Sequence, residues 1–378
     1  MNSSAFSVKN INELSDYLDQ FREKFTPTLA IVFISPDQKI EEVASVFNQH
    51  NIDIFGATSA GELFADGKDA FLVMDSISGL LLDIHKDDYR IKLLEAHDNN
   101  YSKPSCEIAK WADQLYKLPA FIVASGGLTA NGDDIVNGLK TGNSKEPPIF
   151  GGFAGAHDMN GTTVFTNKSS TGQGIVALVL NNENIEITGI ASSGWMEIGA
   201  EKVVTSSTGN VVHTLDNKQA LEIYREYISE NYAREGKDTL MATEYPLQLQ
   251  REDGSSVLRA AMVVDKESGS IIYAGAVPQG SHVKFSAPPG LEIIDHTVNE
   301  IKDFHKKNPR SNALLLFSCR GRHDAVGPML INEVRPMQEL WNVPLAGFLT
   351  FGEIGPKIEY GCDFHNNTCV LVSISSKN

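Results

Sequence analysis

Three short apolar runs recur along the chain, at residues 28–35, 120–125 and 313–318, and each run closes on a serine. Runs of this length with few polar interruptions are typical of strands that are buried on both faces. Further strand-like runs follow them, at 70–74 and 78–84, at 162–166 and 174–180, and at 369–374. The pattern predicts a repeated unit that one buried strand opens and further strands close.

Between the opening and the closing strands, the apolar positions change to a helical period. The first unit has a helical face over residues 40–47, and the third has one over 331–341, which Pro336 should kink or shorten. In the second unit only residues 133–140 are available, enough for a turn or two. The unit therefore consists of a strand, a helix of variable length and further strands.

A turn rich in small residues follows the helix position in each unit, and we call these three segments the glycine turns. Their first glycines are Gly56, Gly151 and Gly347. The sixth residue after each of these glycines is Glu62, His157 and Glu353, respectively. Each turn thus delivers one proton- or metal-competent side chain after backbone that can approach a neighbour closely. Repetition of this kind indicates an old duplication.

The repeats predict an α/β fold: mixed sheets built from strand–helix–strand–strand units, in two packed domains, residues 1–213 and 214–378. The boundary follows the strand predicted at 185–190, in a polar, turn-rich passage. A hairpin is predicted at 258–276 and a helix at 290–304. Because pockets favour domain interfaces, we expect the glycine turns to gather at one rim or between the two halves.

Composition narrows the class of protein. The 378 residues carry a net charge of −16, which disfavours binding to nucleic acid or to an anionic membrane. No apolar run approaches the roughly 18 residues that a membrane helix needs, and the first residues lack the pattern of a secretory signal. We expect a cytoplasmic protein without membrane insertion. Its four cysteines form no Cys-x-x-Cys pair, so free thiols are expected.

The chain resembles the FIST family, whose members combine a FIST N-terminal and a FIST C-terminal domain. The resemblance extends from about Thr28 to Val372, and the order and spacing of its motifs carry it. These motifs are residues 55–62, 151–155, 194–195, 204–205, 209–216, 220–224, 317–320, 347–355 and 365–368.

The resemblance implies a sensory module that binds a small molecule, such as an amino acid, and reports it to a signalling protein. Histidine kinases, cyclic-di-GMP enzymes and chemoreceptor-type proteins are the partners that it implies. Stand-alone members of this length resemble bacterial nitric-oxide-sensing haem proteins, so haem is an implied cofactor. The chain carries no fused output domain that the sequence reveals, which agrees with the stand-alone class.

The repeat leads to a hypothesis about the ligand site. Two carboxylates at one repeat position could hold an ammonium group, while an arginine clamps a carboxylate, which together suit a zwitterion. The strand-terminal serines lie where ligands of open α/β sheets bind. The alternative is that these side chains cap helices or accept N–H groups within their own turns. The predicted ligand-binding residues are Thr58, Glu62, Ser125, Arg322, Thr350 and Glu353.

A haem would need one proximal imidazole, and among ten histidines the leading candidates are His365 and His157. His365 lies in a strand of alternating character, and His157 shares the repeat position of the two glutamates. For each histidine a structural role is the competing interpretation, and no local metal-binding spacing is present.

Catalysis is the alternative function class, with a small-molecule hydrolase using Cys319 or Ser318. Cys319 is followed by arginines and His323, which could lower the pKa of a thiol. Triad partners normally come from distant segments, however, so neighbouring residues of one loop rarely form one. We therefore expect a sensor and not an enzyme.

Overall fold

The computed structural model describes residues 1–21, 24–67, 69–157, 161–227, 244–251, 254–356 and 361–377. Within these ranges the α-helices are α1 (Ile11–Phe21), α2 (Ile40–Gln49), α3 (Ser102–Leu115), α4 (Gly132–Gly142), α5 (Ala220–Tyr227), α6 (Glu292–Lys307), α7 (Arg320–Val326) and α8 (Ile331–Trp341).

The strands are β1 (Ser3–Val8), β2 (Leu29–Ile34), β3 (Asp53–Thr58), β4 (Glu62–Asp66), β5 (Asp69–Val73), β6 (Ile77–Leu82), β7 (Tyr89–Glu95), β8 (Pro119–Gly126), β9 (Ile149–Phe153), β10 (Val164–Phe165), β11 (Ser170–Thr171), β12 (Gly174–Asn181), β13 (Ile185–Ser192), β14 (Met196–Thr208), β15 (Val211–Leu215), β16 (Lys218–Gln219), β17 (Leu247–Gln250), β18 (Ser256–Arg259), β19 (Ala261–Asp265), β20 (Ser270–Tyr273), β21 (His282–Ala287), β22 (Ala313–Cys319), β23 (Leu345–Thr350), β24 (Glu353–Pro356), β25 (Cys362–His365) and β26 (Cys369–Ser376).

Three sheets of six strands share one strand order. Sheet 1 runs β1-β6-β2-β3-β10-β11, sheet 2 runs β7-β12-β8-β9-β24-β25, and sheet 3 runs β13-β26-β22-β23-β4-β5. In each sheet the two middle strands are parallel, and antiparallel strands flank them. The first glycine of each glycine turn lies on the second middle strand, where Gly56 pairs with Val32 and Gly151 with Val123. The shared order and register confirm the predicted repeat.

Each of these sheets takes its last two strands from a different unit. The hairpin β4–β5 follows the first glycine turn but pairs with β23 in sheet 3. The short strands β10 and β11 pair with β3 in sheet 1, and β24–β25 pairs with β9 in sheet 2. The exchange is therefore cyclic, and it joins the three units into one body, which we call the three-sheet body.

One apolar core lies between the three sheets, to which Ile122 of sheet 2 also belongs. Phe33 of sheet 1 stacks on Phe348 of sheet 3 with 4.3 Å between ring centroids, and Phe317 meets Phe348 edge-on at 5.7 Å. Helices cover the outer faces, as α1 and α2 do on sheet 1. Burial on both faces explains why the opening strands are continuously apolar.

Sheet 4 is inserted between β13 and β22 of sheet 3 and has its own core. Its order is β18-β17-β21-β14-β15-β20-β19, with β16 beside β15. Val204, Phe285 and Ile223 of α5 are buried together within it. The residues from 313 onward return to the three-sheet body.

The structure confirms the α/β fold with mixed sheets and packed units. The predicted boundary between residues 213 and 214 falls inside β15, where the chain continues without interruption. The second unit has a full helix, α4, of eleven residues in place of the predicted turn or two. The glycines of α4 weaken the helical pattern in the sequence. They also allow α4 to pack closely on α3, because a Cβ at Gly138 would lie 2.5 Å from the Ser102 carbonyl oxygen. The third helix, α8, continues through Pro336.

Candidate functional site

The three glycine turns meet at the centre of the three-sheet body and bond to one another in a ring. Gly155 N–H donates to the Thr58 carbonyl at 2.9 Å, Ala60 N–H to the Leu349 carbonyl at 3.1 Å, and Phe351 N–H to the Phe153 carbonyl at 3.3 Å. In each turn the donor is the fourth residue after the first glycine and the acceptor is the second. The turns do gather, as predicted, but within the three-sheet body and not at a rim, and backbone hydrogen bonds connect them.

Glu62 and Glu353 occupy equivalent positions, but His157 does not share them. Glu62 pairs with Phe348 of β23, and Glu353 pairs with Gly152 of β9, one residue after the first glycine of the neighbouring turn in both cases. In sheet 1 the corresponding partner, Ala57, pairs with Val164. The predicted equivalence of His157 is therefore wrong, because additional residues separate the second glycine turn from β10.

The Glu62 carboxylate is fully buried and bonded within its own unit. Its Oε2 accepts hydrogen bonds from Ser76 N at 3.1 Å and Ser76 Oγ at 2.9 Å, while Oε1 is buried with no partner among the described residues. Burial raises the pKa of Glu62 to about 7, against the opposing hydrogen bonds from Ser76 and Ser59. The turn that precedes β6 thus provides most of what this carboxylate binds.

Glu353 repeats this arrangement in the third unit. Its Oε2 accepts from Thr368 N at 3.2 Å, in the turn that precedes β26, and its Oε1 accepts a short hydrogen bond from Thr350 Oγ1. Burial raises the pKa of Glu353 to about 8, although hydrogen bonds from Thr350, Thr368 and Cys319 lower it. The two glutamates share a structural position, as the repeat predicts. Each also accepts hydrogen bonds within its own unit, which is the alternative to a ligand-binding role.

Arg322 lies in a buried network that does not reach Glu62. Its guanidinium forms an ion pair with Glu333, with both side chains 1% exposed. It also donates to Thr297 Oγ1 at 2.8 Å, to the Asn367 carbonyl at 3.3 Å and, by a contact of 2.5 Å, to the Ser193 carbonyl. Arg322 therefore ties α7, α8 and α6 to the loop after β13.

The remaining predicted residues are buried and partnered as well. Thr58 Oγ1 accepts from Thr163 N at 2.8 Å, and Ser125 Oγ donates to the Gly174 carbonyl at 3.2 Å. Thr350 and Glu353 contact each other, and Arg322 is close enough to affect Glu353 electrostatically. None of the six predicted residues is among those lining the cavities described below. Their role as ligand-binding residues stays a prediction.

His157 is half-buried at the surface of the three-sheet body. Its Nε2 lies 3.2 Å from Ser35 Oγ and 3.4 Å from Asp75 Oδ1. Asp37, Asp75 and His157 place three ligand atoms within 4.8 Å of one another, and both carboxylates are exposed. The same nitrogen that would bind a haem iron is thus already in polar contacts.

A cavity of about 500 Å³ lies where sheet 4 meets the three-sheet body. Its walls come from β13 and the loop after it, β17, β18, α6, β24 and β25. The lining residues include Ala191, Trp195, Gln248, Ser256, His296, Glu300, Phe304 and His365. Both predicted domains, residues 1–213 and 214–378, contribute lining residues, as was expected of a ligand pocket. A second cavity, of about 650 Å³, is lined by residues that fall between positions 48 and 169. A third, of about 1070 Å³, is lined by residues that fall between positions 133 and 282.

His365 presents an unsatisfied nitrogen in this part of the molecule. Its Nε2 is buried and has no hydrogen-bond partner among the described residues. The Gly355 backbone favours a proton on the ring, and with Nε2 unpaired that interaction falls on Nδ1. Burial nevertheless lowers the pKa of His365 to about 4, which leaves a neutral imidazole with a free lone pair on Nε2.

Gln248 carries a second unsatisfied atom in the same cavity. Its Nε2 donates to Ser256 Oγ at 2.8 Å, and its Oε1 is buried without a partner in the described chain. An unpartnered buried polar atom costs about 1–3 kcal/mol unless a ligand or water satisfies it. A hydrogen-bonding molecule in this cavity would satisfy such atoms.

Sequence reasoning missed most of this cavity. His296, Glu300 and Phe304 are spaced four residues apart on α6. The apolar pattern predicts that Phe304 faces inward, whereas His296 has the sequence context of a surface position. The helical spacing was a usable signal. Trp195 follows a positive-φ glycine, Gly194, and nothing in the sequence showed what it faces.

Comparison with known protein families decides the class. The FIST N domain model matches residues 28–218, and the FIST C domain model matches residues 220–356. The chain belongs to the FIST family. FIST domains are sensory domains of signal-transduction proteins, so the resemblance read from the motifs is confirmed. The two matches meet close to the predicted boundary, which as a division between domains stays a prediction.

The individual relatives that the chain matches are uncharacterized proteins. The chain is 24% identical over 221 residues to uncharacterized protein Mb0898c of Mycobacterium bovis, with 55% of each protein covered. It is 23% identical over 223 residues to uncharacterized protein Rv0628c of Mycobacterium tuberculosis, with 55% of the chain and 56% of the relative covered. The chain thus spans about half the length of the curated relatives it matches. Across the described residues, no helix is long and apolar enough to cross a membrane.

Proposed function

We propose that this FIST protein is a cytoplasmic, non-catalytic sensor whose ligand occupies the cavity between sheet 4 and the three-sheet body. The observation that carries the proposal is the pair of unpartnered buried atoms, His365 Nε2 and Gln248 Oε1, on the wall of that cavity. A molecule that bonds to both would replace the hydrogen bonds that the unliganded protein lacks.

The position of the cavity suggests how binding is reported. Its residues come from two bodies, so a ligand that contacts both favours one relative placement of sheet 4 and the three-sheet body. Helix α6 extends the effect, because Phe304 lines the cavity and its ring centroid lies 6.0 Å from that of Trp341 on α8. A signalling protein, such as a histidine kinase, would then recognise the surface that α6 and α8 present.

The more specific hypothesis, that the protein senses nitric oxide through a haem, is supported by one residue only. His365 Nε2 has the free lone pair that an iron ligand needs. The described residues that line the cavity include no lysine or arginine, however, so the propionate charges of a haem would have no Lys or Arg partner there. The lining therefore fits haem poorly and a small polar molecule better.

The hydrolase alternative is disfavoured by the environment of its nucleophile. Burial and the Glu353 carboxylate both raise the pKa of the Cys319 thiol well above its ordinary value. Catalytic thiols require the opposite shift, which a nearby cation or helix N-terminus produces. Ser318 is 1% exposed on the middle strand of sheet 3, away from solvent and substrate.

Native mass spectrometry of the purified chain, with a thermal-shift screen of small metabolites, tests the proposal. Ala191→Phe fills the cavity from β13 and should abolish co-purified ligand and ligand-induced stabilisation. Glu186→Phe, on the exposed part of the same strand, is the matched control and should leave both unchanged. Retention of ligand by folded Ala191→Phe would place the binding site elsewhere. A Soret band in the absorption spectrum would favour haem over the small polar ligand.

A further inference from the structure

The unsatisfied atoms of the cavity are all hydrogen-bond acceptors. The Gln248 amide donates to Ser256 Oγ, which leaves its oxygen, and His365 keeps the lone pair of Nε2 when the Gly355 backbone holds the ring proton. Acceptors of this kind can be satisfied only by N–H or O–H groups of a ligand. A ligand that satisfies these two atoms must therefore donate hydrogen bonds to them.

The charged residues around the cavity also indicate the charge of the ligand. Glu300 on α6 lines it, with its carboxylate 3.3 Å from His296 Nε2 and the side chain 43% exposed. The nearby cation Arg322 is paired with Glu333, with the guanidinium 5.6 Å from the centroid of the Trp195 ring. Because no lysine or arginine is among the described lining residues, a carboxylate or phosphate would enter without a counter-charge, whereas a cation would find Glu300.

Part of the wall is apolar and aromatic. Trp195, Phe304, Leu258 and Ile190 line the cavity beside the polar groups. Such a surface suits an apolar ligand body, and aromatic faces also attract an ammonium group. The wall therefore favours an amphipathic molecule over a fully polar one.

We propose that the cavity recognises a small organic amine in its protonated form. Its ammonium N–H groups donate to Gln248 Oε1 and His365 Nε2, Glu300 supplies the counter-charge, and the apolar body packs on Trp195 and Phe304. The inference rests on the proposed function, since it names the ligand class of the same site. It differs from the zwitterion of the sequence hypothesis in requiring no clamp for a carboxylate.

Isothermal titration of the full chain with three matched probes tests the ligand class. The probes are phenethylamine, 2-phenylethanol and 3-phenylpropionate, which share a phenyl body and differ in the charge of the head group. Phenethylamine should bind, 2-phenylethanol should bind at least about tenfold more weakly, and 3-phenylpropionate should not bind at millimolar concentration. Binding of the acid as tightly as the amine, or no binding of the amine at millimolar concentration, overturns the proposal.

Two variants locate the amine. Glu300→Lys should abolish phenethylamine binding, and Gln248→Leu should weaken it about tenfold. Asp303→Lys makes the same charge change on an exposed position of α6 and should leave the affinity unchanged within about twofold. An unaltered affinity in Glu300→Lys contradicts the proposal. If the acid binds and Ala191→Phe removes that binding, the ligand class is wrong while the cavity remains the site; if Ala191→Phe affects no probe that binds, the proposed function fails.

Discussion

The centre of the three-sheet body and the cavity beside sheet 4 both bury polar side chains, but they treat them differently. At the centre, Glu353 accepts from two donors and Glu62 accepts from Ser76, although Oε1 of Glu62 has no partner among the described residues. At the cavity, His365 and Gln248 each keep one atom without a partner. Buried polar groups with hydrogen-bond partners stabilise the fold, whereas unpartnered groups beside a cavity are available to a ligand.

This difference separates two meanings of a polar residue at a repeat position. Repetition placed Glu62 and Glu353 at one structural site, which attracted the hypothesis of a shared ligand site. The structure shows that each carboxylate binds the turn before the closing strand of its own unit, through Ser76 or Thr368. A residue that recurs in a repeat can therefore serve to hold a recurring turn in place. The cavity residues have no repeat counterpart, as expected for a site built where an inserted sheet meets the repeated body.

The largest effect is expected from breaking the buried ion pair between Arg322 on α7 and Glu333 on α8. Arg322→Ala leaves the Glu333 carboxylate buried and unpaired, so the free energy of unfolding should fall by about 3–5 kcal/mol. Urea denaturation measures it. The double variant Arg322→Met/Glu333→Leu removes both charges and should recover much of the loss. If Arg322→Ala costs less than about 1 kcal/mol, the pair is not the structural element described here.

A smaller loss is expected when the ring of glycine turns is forced apart. A Cβ at Gly155 would lie 2.4 Å from the Leu349 carbonyl oxygen and 2.5 Å from Ala60 N. Gly155→Ala should therefore lower the free energy of unfolding by about 1–3 kcal/mol, because backbone must move on both sides. Gly172→Ala is the matched control: its nearest neighbour is the Thr162 carbonyl oxygen at 3.4 Å, and little loss is expected. Equal effects in thermal denaturation would contradict the tight closure of the centre.

The two central glutamates should make stability depend on pH. Their pKa values, about 7 for Glu62 and about 8 for Glu353, lie above the ordinary value of about 4.3 in an unfolded chain. The folded protein then binds more protons than the unfolded one, so this contribution is complete below about pH 4.3 and is lost as the pH rises through about 7 to 8. Relative to Glu62→Gln and Glu353→Gln, the wild type should lose at least about 1 kcal/mol between pH 5 and 9.

Urea denaturation of the three proteins across that pH range provides the measurement, and Glu186→Gln is an exposed control. A difference between wild type and the Gln variants that stays constant with pH would show that the carboxylates are not held protonated. The same variants decide the earlier site hypothesis. If the ligand binds only at the cavity, both should keep wild-type ligand-induced stabilisation.

The smallest effect on stability is expected at the cavity itself. Gln248→Leu removes an unsatisfied oxygen and the bond to Ser256, so the free energy of unfolding without ligand should change by less than about 1 kcal/mol. The ligand-induced thermal shift should nevertheless be reduced or lost. A large loss of stability in Gln248→Leu without ligand would place this residue with the structural groups of the centre and remove the contrast.

The sequence by itself determined the repeated strands, the three glycine turns, the α/β class and the family, because these depend on local apolar pattern and on the spacing of glycines. It also determined that Glu62 and Glu353 are equivalent. Tertiary structure decided that the hairpins are exchanged between units, that Val164 and not His157 completes the set, and that α4 is a full helix. It also decided which polar atoms are satisfied. A hydrogen-bond partner such as Thr368 for Glu353, or the missing partner of Gln248, depends on how distant segments pack, and no local pattern records that packing.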